Sequence, residues 1–421
     1  MNAVWDPDEG NVLASKLNPI RSPDEIIGDL VANPVFPEGI EEAPPHIRLH
    51  YLMRLRELHV PSQPDQDLWR TIELMVRENY RGRDPRLNTT WADISGEVPL
   101  LRSPVSPPLA ASVGGPSGSG KSQGVLRCLR GCLGAQFHIH DSFPGLHGPV
   151  LQLVYLCVEV PPSGKASDLA LALMKASKRA TGTDRFDRWL AMQVLKQPMQ
   201  ALEEWHQWAV SHFLGILHLD EVQNFFKLQS LKQRLTRTGT SGEPELSVRE
   251  DQAIRWFLSI VNKGQYAVLA SGTNDGINAL GHRFSTLSRL TSMGYHGYKP
   301  FRDAEDPAFF LIFLPPLIAC QLTRKKLELT PDLAALIFQL TAGVQRIIVT
   351  LWFAAQRVAL SLNHDELRFE HLRHASQTLL APLAPAVAAL LSDDPNKLRL
   401  YEDFVRAVDP SIWIASSSPT P

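Results

Sequence analysis

Cysteine is scarce, with four in 421 residues. Cys128 and Cys132 stand one helical turn apart, while Cys157 and Cys320 sit singly in apolar runs. A zinc centre would want a second close pair, which the chain lacks. The expectation is reduced, buried thiols in an intracellular protein. Long hydrophobic runs are missing too. Nothing approaches the roughly 18 apolar residues of a membrane span, and no apolar h-region stands near the N-terminus. Neither a membrane partner nor secretion is expected, and the reading is a cytoplasmic protein. Charge imbalance is absent as well: 42 Lys and Arg against 44 Asp and Glu give −2. That excludes a uniformly basic nucleic-acid coat and leaves room for a local basic patch. With 44% hydrophobic and 20% charged residues, the composition is that of a folded globular protein, long enough for two or three domains.

What the chain does contain is a phosphate-binding pattern. The run Gly115-Pro116-Ser117-Gly118-Ser119-Gly120-Lys121-Ser122 fits G-x-x-x-x-G-K-[ST], the P-loop. It follows the apolar run 109–113, which reads as a buried strand, and precedes 122–133, which reads as a helix. Glycines let the backbone turn tightly and bring N–H groups to phosphate oxygens, and the helix start adds its own unpaired donors. Lys121 would reach the β- and γ-phosphates of ATP, and Ser122 would hold Mg²⁺. About a hundred residues on, the apolar run 214–219 ends in Asp220-Glu221. That is the Walker B pattern: Asp220 would orient Mg²⁺, partly through water, and Glu221 would act as general base on the attacking water.

The rest of the chain sorts into segments. Residues 1–45 are rich in Pro, Asp and Glu and read as an extended arm, either disordered or docking a partner, with one short helix capped by Ser22, Pro23 and Glu25. Residues 46–98 read as a helical N-terminal extension with two amphipathic helices over 46–80, the first carrying a solvated basic face. Residues 99–318 read as an α/β core around a parallel five-stranded sheet, with buried strands at 109–113, 151–160, 214–219, 266–274 (with a polar tip) and 309–318 and helical pattern over 186–213. A polar, basic insert interrupts it at 227–250. Residues 319–409 read as a helical lid and C-terminal segment, and 410–421 as a disordered tail.

Four stretches, in this order, resemble the TnsC/TniB group of transposon-encoded AAA+ ATPases. They are Arg54–Leu58 through Tyr80-Arg81-Gly82-Arg83-Asp84-Pro85; Phe257–Asn262 running into Leu269–Thr273; Thr341–Val344 through Leu351–Ala359; and Ala388–Pro395 with Tyr401–Phe404. Together they span about 46–405; the insert at 228–250 is longer than is usual in that group, and the 1–45 arm has no counterpart. The resemblance implies an α/β AAA+ fold with further site residues. Thr273 and Asn274 would be the sensor 1 group, Arg289 or Arg283 the arginine finger reaching a neighbouring subunit, and Arg346 the sensor 2 cation. It implies an ATPase that assembles with itself into rings or helical filaments on double-stranded DNA, links a target-selector protein to a transposase, and disassembles on hydrolysis. Lys165, after the second strand, would be a DNA contact, with Lys232, Arg234 and Arg237 of the insert as a second candidate group. Two other readings compete: another AAA+ DNA-remodelling ATPase, such as a replication initiator or clamp-loader subunit, and an NTPase signalling scaffold that needs no DNA.

Overall fold

The computed structural model describes residues 7–95, 108–144, 146–192, 195–227, 247–248, 251–280, 284–392 and 394–398. In chain order the strands are β1 (Ala110–Gly114), β2 (Phe137–His140), β3 (Val150–Leu153), β4 (Tyr155–Glu159), β5 (Ile216–Asp220), β6 (Phe226–Lys227), β7 (Ser247–Val248), β8 (Ala267–Gly272) and β9 (Tyr295–Gly297). Five of them form one parallel sheet in the order β4-β5-β8-β1-β9. The central strands β1 and β8 are buried along their whole length because helices cover both faces. Register places Glu159 beside Asp220 and Gly114 beside Gly272, so the strands end together at one carboxyl edge. Functional groups gather at such an edge in open α/β sheets.

Two expected strands are different. The run 151–160 is broken: β3 pairs antiparallel with β2 as a separate hairpin, and only β4 joins the sheet. Gln152 marks the break, donating to the Leu13 carbonyl (2.9 Å) and meeting His140 at 2.7 Å. The run 309–318 is no strand at all. It forms a π-helical turn, Ala308–Phe313, continuing into the α-helix Leu314–Ala319. Pro315 and Pro316 open that α-helix, where a missing N–H costs nothing, whereas a central strand would lose ladder bonds there. The fifth strand is β9 instead. Between 186 and 213 the helical pattern resolves into Asp187–Leu190 and Pro198–Ser211.

The arm folds onto its own chain. Leu13, Leu17, Ile26 and Leu30 are buried with Trp69 and Ile72 of the helix Gln63–Gly82 and with Val125 and Leu129 of the helix Lys121–Leu133. Asn11 donates to the Tyr80 carbonyl (2.9 Å) and Asn18 to the Gly131 carbonyl (2.8 Å). The Ser22 capping box forms as its residues require. The turn after Gly82 is a clamp: buried Arg83 donates to the carbonyls of Leu214 and Val210, both at 2.8 Å, just before β5.

The extension serves two bodies. Its first part, Pro45–Tyr51 and Leu52–Glu57, packs through Leu52 and Leu55 against the lid helices Pro331–Thr341 and Gln345–Ser361. The expected solvated basic face is interrupted there: Arg48 is 2% exposed and donates to the Leu322 carbonyl (2.9 Å) and to Asp365 (2.7 Å). Its second part, Gln63–Gly82, packs on the helix that follows the P-loop. Phe309, Phe313 and Leu317 belong to the same cluster as the lid helices, so the lid body begins ahead of residue 319.

Candidate functional site

A cleft of about 550 Å³ opens between the P-loop, the strand ends, the lid and the extension. The P-loop leaves β1 and enters its helix at Lys121. Gly118 and Gly120 hold φ of 82° and 94°, where side chains are strained, and they also lie close to the lid. A Cβ on Gly120 would stand 2.6 Å from Gln345 Oε1, and one on Gly118 would stand 3.1 Å from Arg346 Cβ. Lys121 is 8% exposed, and its Nζ donates to the Gly115 (2.7 Å) and Pro116 (3.0 Å) carbonyls. Ser119 Oγ donates to the Pro116 carbonyl (2.8 Å), and Ser117 lines the cleft.

Ser122 Oγ donates to Asp220 Oδ2 at 2.8 Å, which brings the P-loop and the end of β5 into direct contact. A hydroxyl and a carboxylate side by side are hard oxygen donors, the set Mg²⁺ takes alongside phosphate. Burial alone would push the Asp220 carboxyl up. His218 and hydrogen bonds from Ser271, Ser122 and the Glu221 N–H outweigh that and hold it below the usual carboxylate range. Glu221 goes the other way: burial and the neighbouring Asp220 charge raise it. Two adjacent carboxylates pushed apart in this way suit one metal-holding role and one proton-accepting role. Glu221 adopts left-handed backbone (φ 58°), a conformation a non-glycine residue holds only at a cost.

Thr273 lines the cleft at 5% exposure, and its Oγ1 is buried with no hydrogen-bond partner among the described residues. Such an orphaned hydroxyl fits a polar ligand group. Asn274 does not line the cleft; its Oδ1 accepts from Tyr295 Oη (2.9 Å). Arg346 lines the cleft, and its N–H donates to the Gly118 carbonyl (3.0 Å). Arg289 lies elsewhere, exposed on the helix Phe284–Leu290, with Nη1 donating to Asn262 Oδ1 (2.7 Å). Lys165 is exposed at the N-cap of Ala166–Thr181, in the loop after β4 and so at the carboxyl edge of the sheet. Arg283, Lys232, Arg234 and Arg237 lie outside the described residues.

Sequence reasoning missed several lining groups. Gln223 donates to Glu221 Oε2 and accepts from the Thr273 N–H (3.1 Å), tying the two strand ends together; its place two residues after Asp-Glu was the available signal. Arg56, His59 and Val60 of the extension, with Gln345 and Thr350 of the lid, complete the walls. Only tertiary packing brings them there. Among the described residues no group of three or more His, Cys, Asp or Glu side chains could hold a metal ion by itself. Burial pushes the Cys128 and Cys132 thiols well up, and that of Cys157 to about 12. No single described helix is long and apolar enough to cross a membrane.

No protein-family model matches the chain, and no curated protein matches it. Among solved structures it is similar to the Aeropyrum pernix ORC2 protein in its ADPNP–ADP complexes, with 12% identity and a TM-score of 0.39 over 64% of this chain. The match spans 62% of that protein's length. The fold itself is α/β: a parallel five-stranded sheet with a glycine-rich loop at the end of β1, an acidic pair at the end of β5 and a helical lid beside both.

Proposed function

We propose that this chain is an ATP-hydrolysing switch that assembles on double-stranded DNA and regulates transposition. The observation that carries the ATPase part is the direct contact of Ser122 with Asp220 beside buried Lys121, under a lid that presents Arg346. Lys121 would exchange its two loop carbonyls for the β- and γ-phosphates, a charge-assisted contact. Ser122 and Asp220 would hold Mg²⁺, which neutralises phosphate charge. Glu221 would take the proton of the attacking water, with Thr273 Oγ1 aligning that water or the γ-phosphate. Arg346 would close on the phosphates from the lid, and Arg289, exposed and remote from this cleft, would serve a neighbouring subunit's nucleotide.

The transposition part rests on the four stretches that resemble TnsC/TniB proteins. In this reading a target-selector protein recruits the oligomer, a transposase receives its signal, and hydrolysis disassembles it. Lys165 would touch the DNA backbone, giving sequence-tolerant, salt-sensitive binding that is multiplied as subunits share one duplex. Electron microscopy of the protein with duplex DNA and a slowly hydrolysed ATP analogue tests both parts. Rings or filaments should form on DNA with the analogue, and Lys121→Ala should form none. Nucleotide binding without any DNA assembly would favour a signalling scaffold and overturn the proposal. Assemblies that leave transposase activity unchanged would point to another DNA-remodelling ATPase.

A further inference from the structure

The strand that ends in Asp220 carries one polar residue in its interior. Ile216, Leu217 and Leu219 are apolar and buried; His218, between them, is buried equally, at 2% exposure. Two residues before Asp220 on a strand, His218 shares its face. On the adjacent strand, Ala270 pairs with Leu219, which sets Ser271 beside Asp220. The three side chains form a chain: His218 Nε2 lies 2.7 Å from Ser271 Oγ, and Ser271 Oγ lies 2.5 Å from Asp220 Oδ1.

The proton order follows from what each group can do. A carboxylate only accepts, so Ser271 spends its single proton on Asp220. Ser271 Oγ must then accept from His218, which fixes the imidazole proton on Nε2. Nδ1 is left bare and buried, with no partner among the described residues. An apolar side chain would fill this strand position without burying a polar ring, a cost that packing alone does not require. The far oxygen, Asp220 Oδ2, accepts from Ser122. The two oxygens are therefore held from opposite sides, one by the P-loop and one by the His218–Ser271 pair.

We propose that His218 is a positioning residue for the magnesium–phosphate site: acting through Ser271, it fixes the orientation of the Asp220 carboxylate toward Ser122. The inference rests on the ATP reading given above. Partners behind a metal-holding group characteristically govern metal affinity, by about 10- to 100-fold when removed.

The test separates metal from nucleotide. A fluorescent, slowly hydrolysed ATP analogue is titrated into wild type, His218→Phe, His218→Gln and Ser271→Ala, each with Mg²⁺ and with EDTA. His218→Phe keeps the ring and removes the donor; His218→Gln keeps a donor near Nε2. The expected result is that His218→Phe and Ser271→Ala lose about tenfold of the affinity gained from Mg²⁺. In EDTA both should bind within about twofold of wild type, and His218→Gln should retain most of the Mg²⁺ gain, an outcome that general packing would not produce. An undiminished Mg²⁺ gain in His218→Phe overturns the proposal, as does an equal loss with and without metal. If His218→Phe fails to fold, Ser271→Ala decides on the same criteria. Wild-type binding no tighter than that of Lys121→Ala would instead show that the ATP reading has failed.

Discussion

Gly124 stands in the first turns of the helix after the P-loop, where helix propensity favours alanine by about 1 kcal/mol. The structure predicts the opposite outcome. A Cβ at this position would overlap Asp65 Oδ1 and lie 2.5 Å from Tyr298 Oη. Those two groups are bonded to each other at 2.7 Å, and Asp65 Oδ2 also accepts from the Ser62 N–H (2.7 Å) and Oγ (2.6 Å). Asp65 and Tyr298 are both buried and cannot swing into solvent. Gly124→Ala must therefore push the two helices apart or break the Tyr298–Asp65 bond. Overpacking costs about 1–3 kcal/mol and a buried bond to a charged group about 1.5–3 kcal/mol; less the propensity gain of about 1 kcal/mol, either route leaves a net loss of about 0.5–2 kcal/mol. Urea denaturation followed by tryptophan fluorescence measures it, since Trp69 lies in the same buried cluster as the affected helices. Nucleotide affinity should fall as well, because the displaced helix begins with Lys121 and Ser122. A variant as stable as wild type, or more stable, would refute the reasoning.

Arg83→Ala should lower stability by about 3 kcal/mol in the same assay, because two charge-assisted bonds to the Val210 and Leu214 carbonyls are lost. Burial pushes the His206 imidazole down to about 4. The unfolded chain takes its proton near pH 6.5, so stability should be full above about 6.5 and fall by about 3 kcal/mol as pH drops toward 4. His206→Gln should flatten that slope. Glu221→Gln should keep nucleotide binding, abolish phosphate release and leave long-lived DNA complexes; wild-type turnover should fail on acidification at a pH above the ordinary glutamate range, because its carboxyl is raised. Arg289→Ala should bind nucleotide normally as an isolated subunit and lose turnover, with part restored on mixing with Lys121→Ala; reduced affinity in the isolated subunit would remove it from the interface role.

Much of the site was legible because its residues are dictated locally. A P-loop needs its glycines, lysine and hydroxyl in consecutive order, and the acidic pair sits at the end of one apolar strand, so both could be read without tertiary information. The Ser22 capping box was legible for the same reason, its partner lying three residues away. The run 309–318 was misread as a strand because an unbroken apolar run carries no period. Its Pro315-Pro316 pair was the overlooked evidence. Gln152 likewise disclosed the break in 151–160, since a polar residue in a doubly covered strand needs a special partner. The arm defeated local reading for another reason. Asn11 and Asn18 bond to residues 69 and 113 positions away, and no periodicity encodes such contacts. Arg56, His59 and Val60 reach the cleft only because the extension lies between core and lid.

That placement of the extension has a mechanical consequence. Among the described residues the chain crosses between core and lid three times: between Leu30, buried with the core, and Ile40, buried with the lid; at 58–62, where Leu58 packs with the lid and Asp65 with the core; and after β9 on the way to Ala308. A body tethered by one strap can swing about any axis through it. A body tethered by two can turn freely only about the line that joins them. The first two crossings are joined by the backbone pairing of Ala32 with His59 and act as one strap, stiffened by Pro61; the crossing after β9 is the other. A lid held in this way would turn as a door on two hinges, and the cleft would open along the side between them.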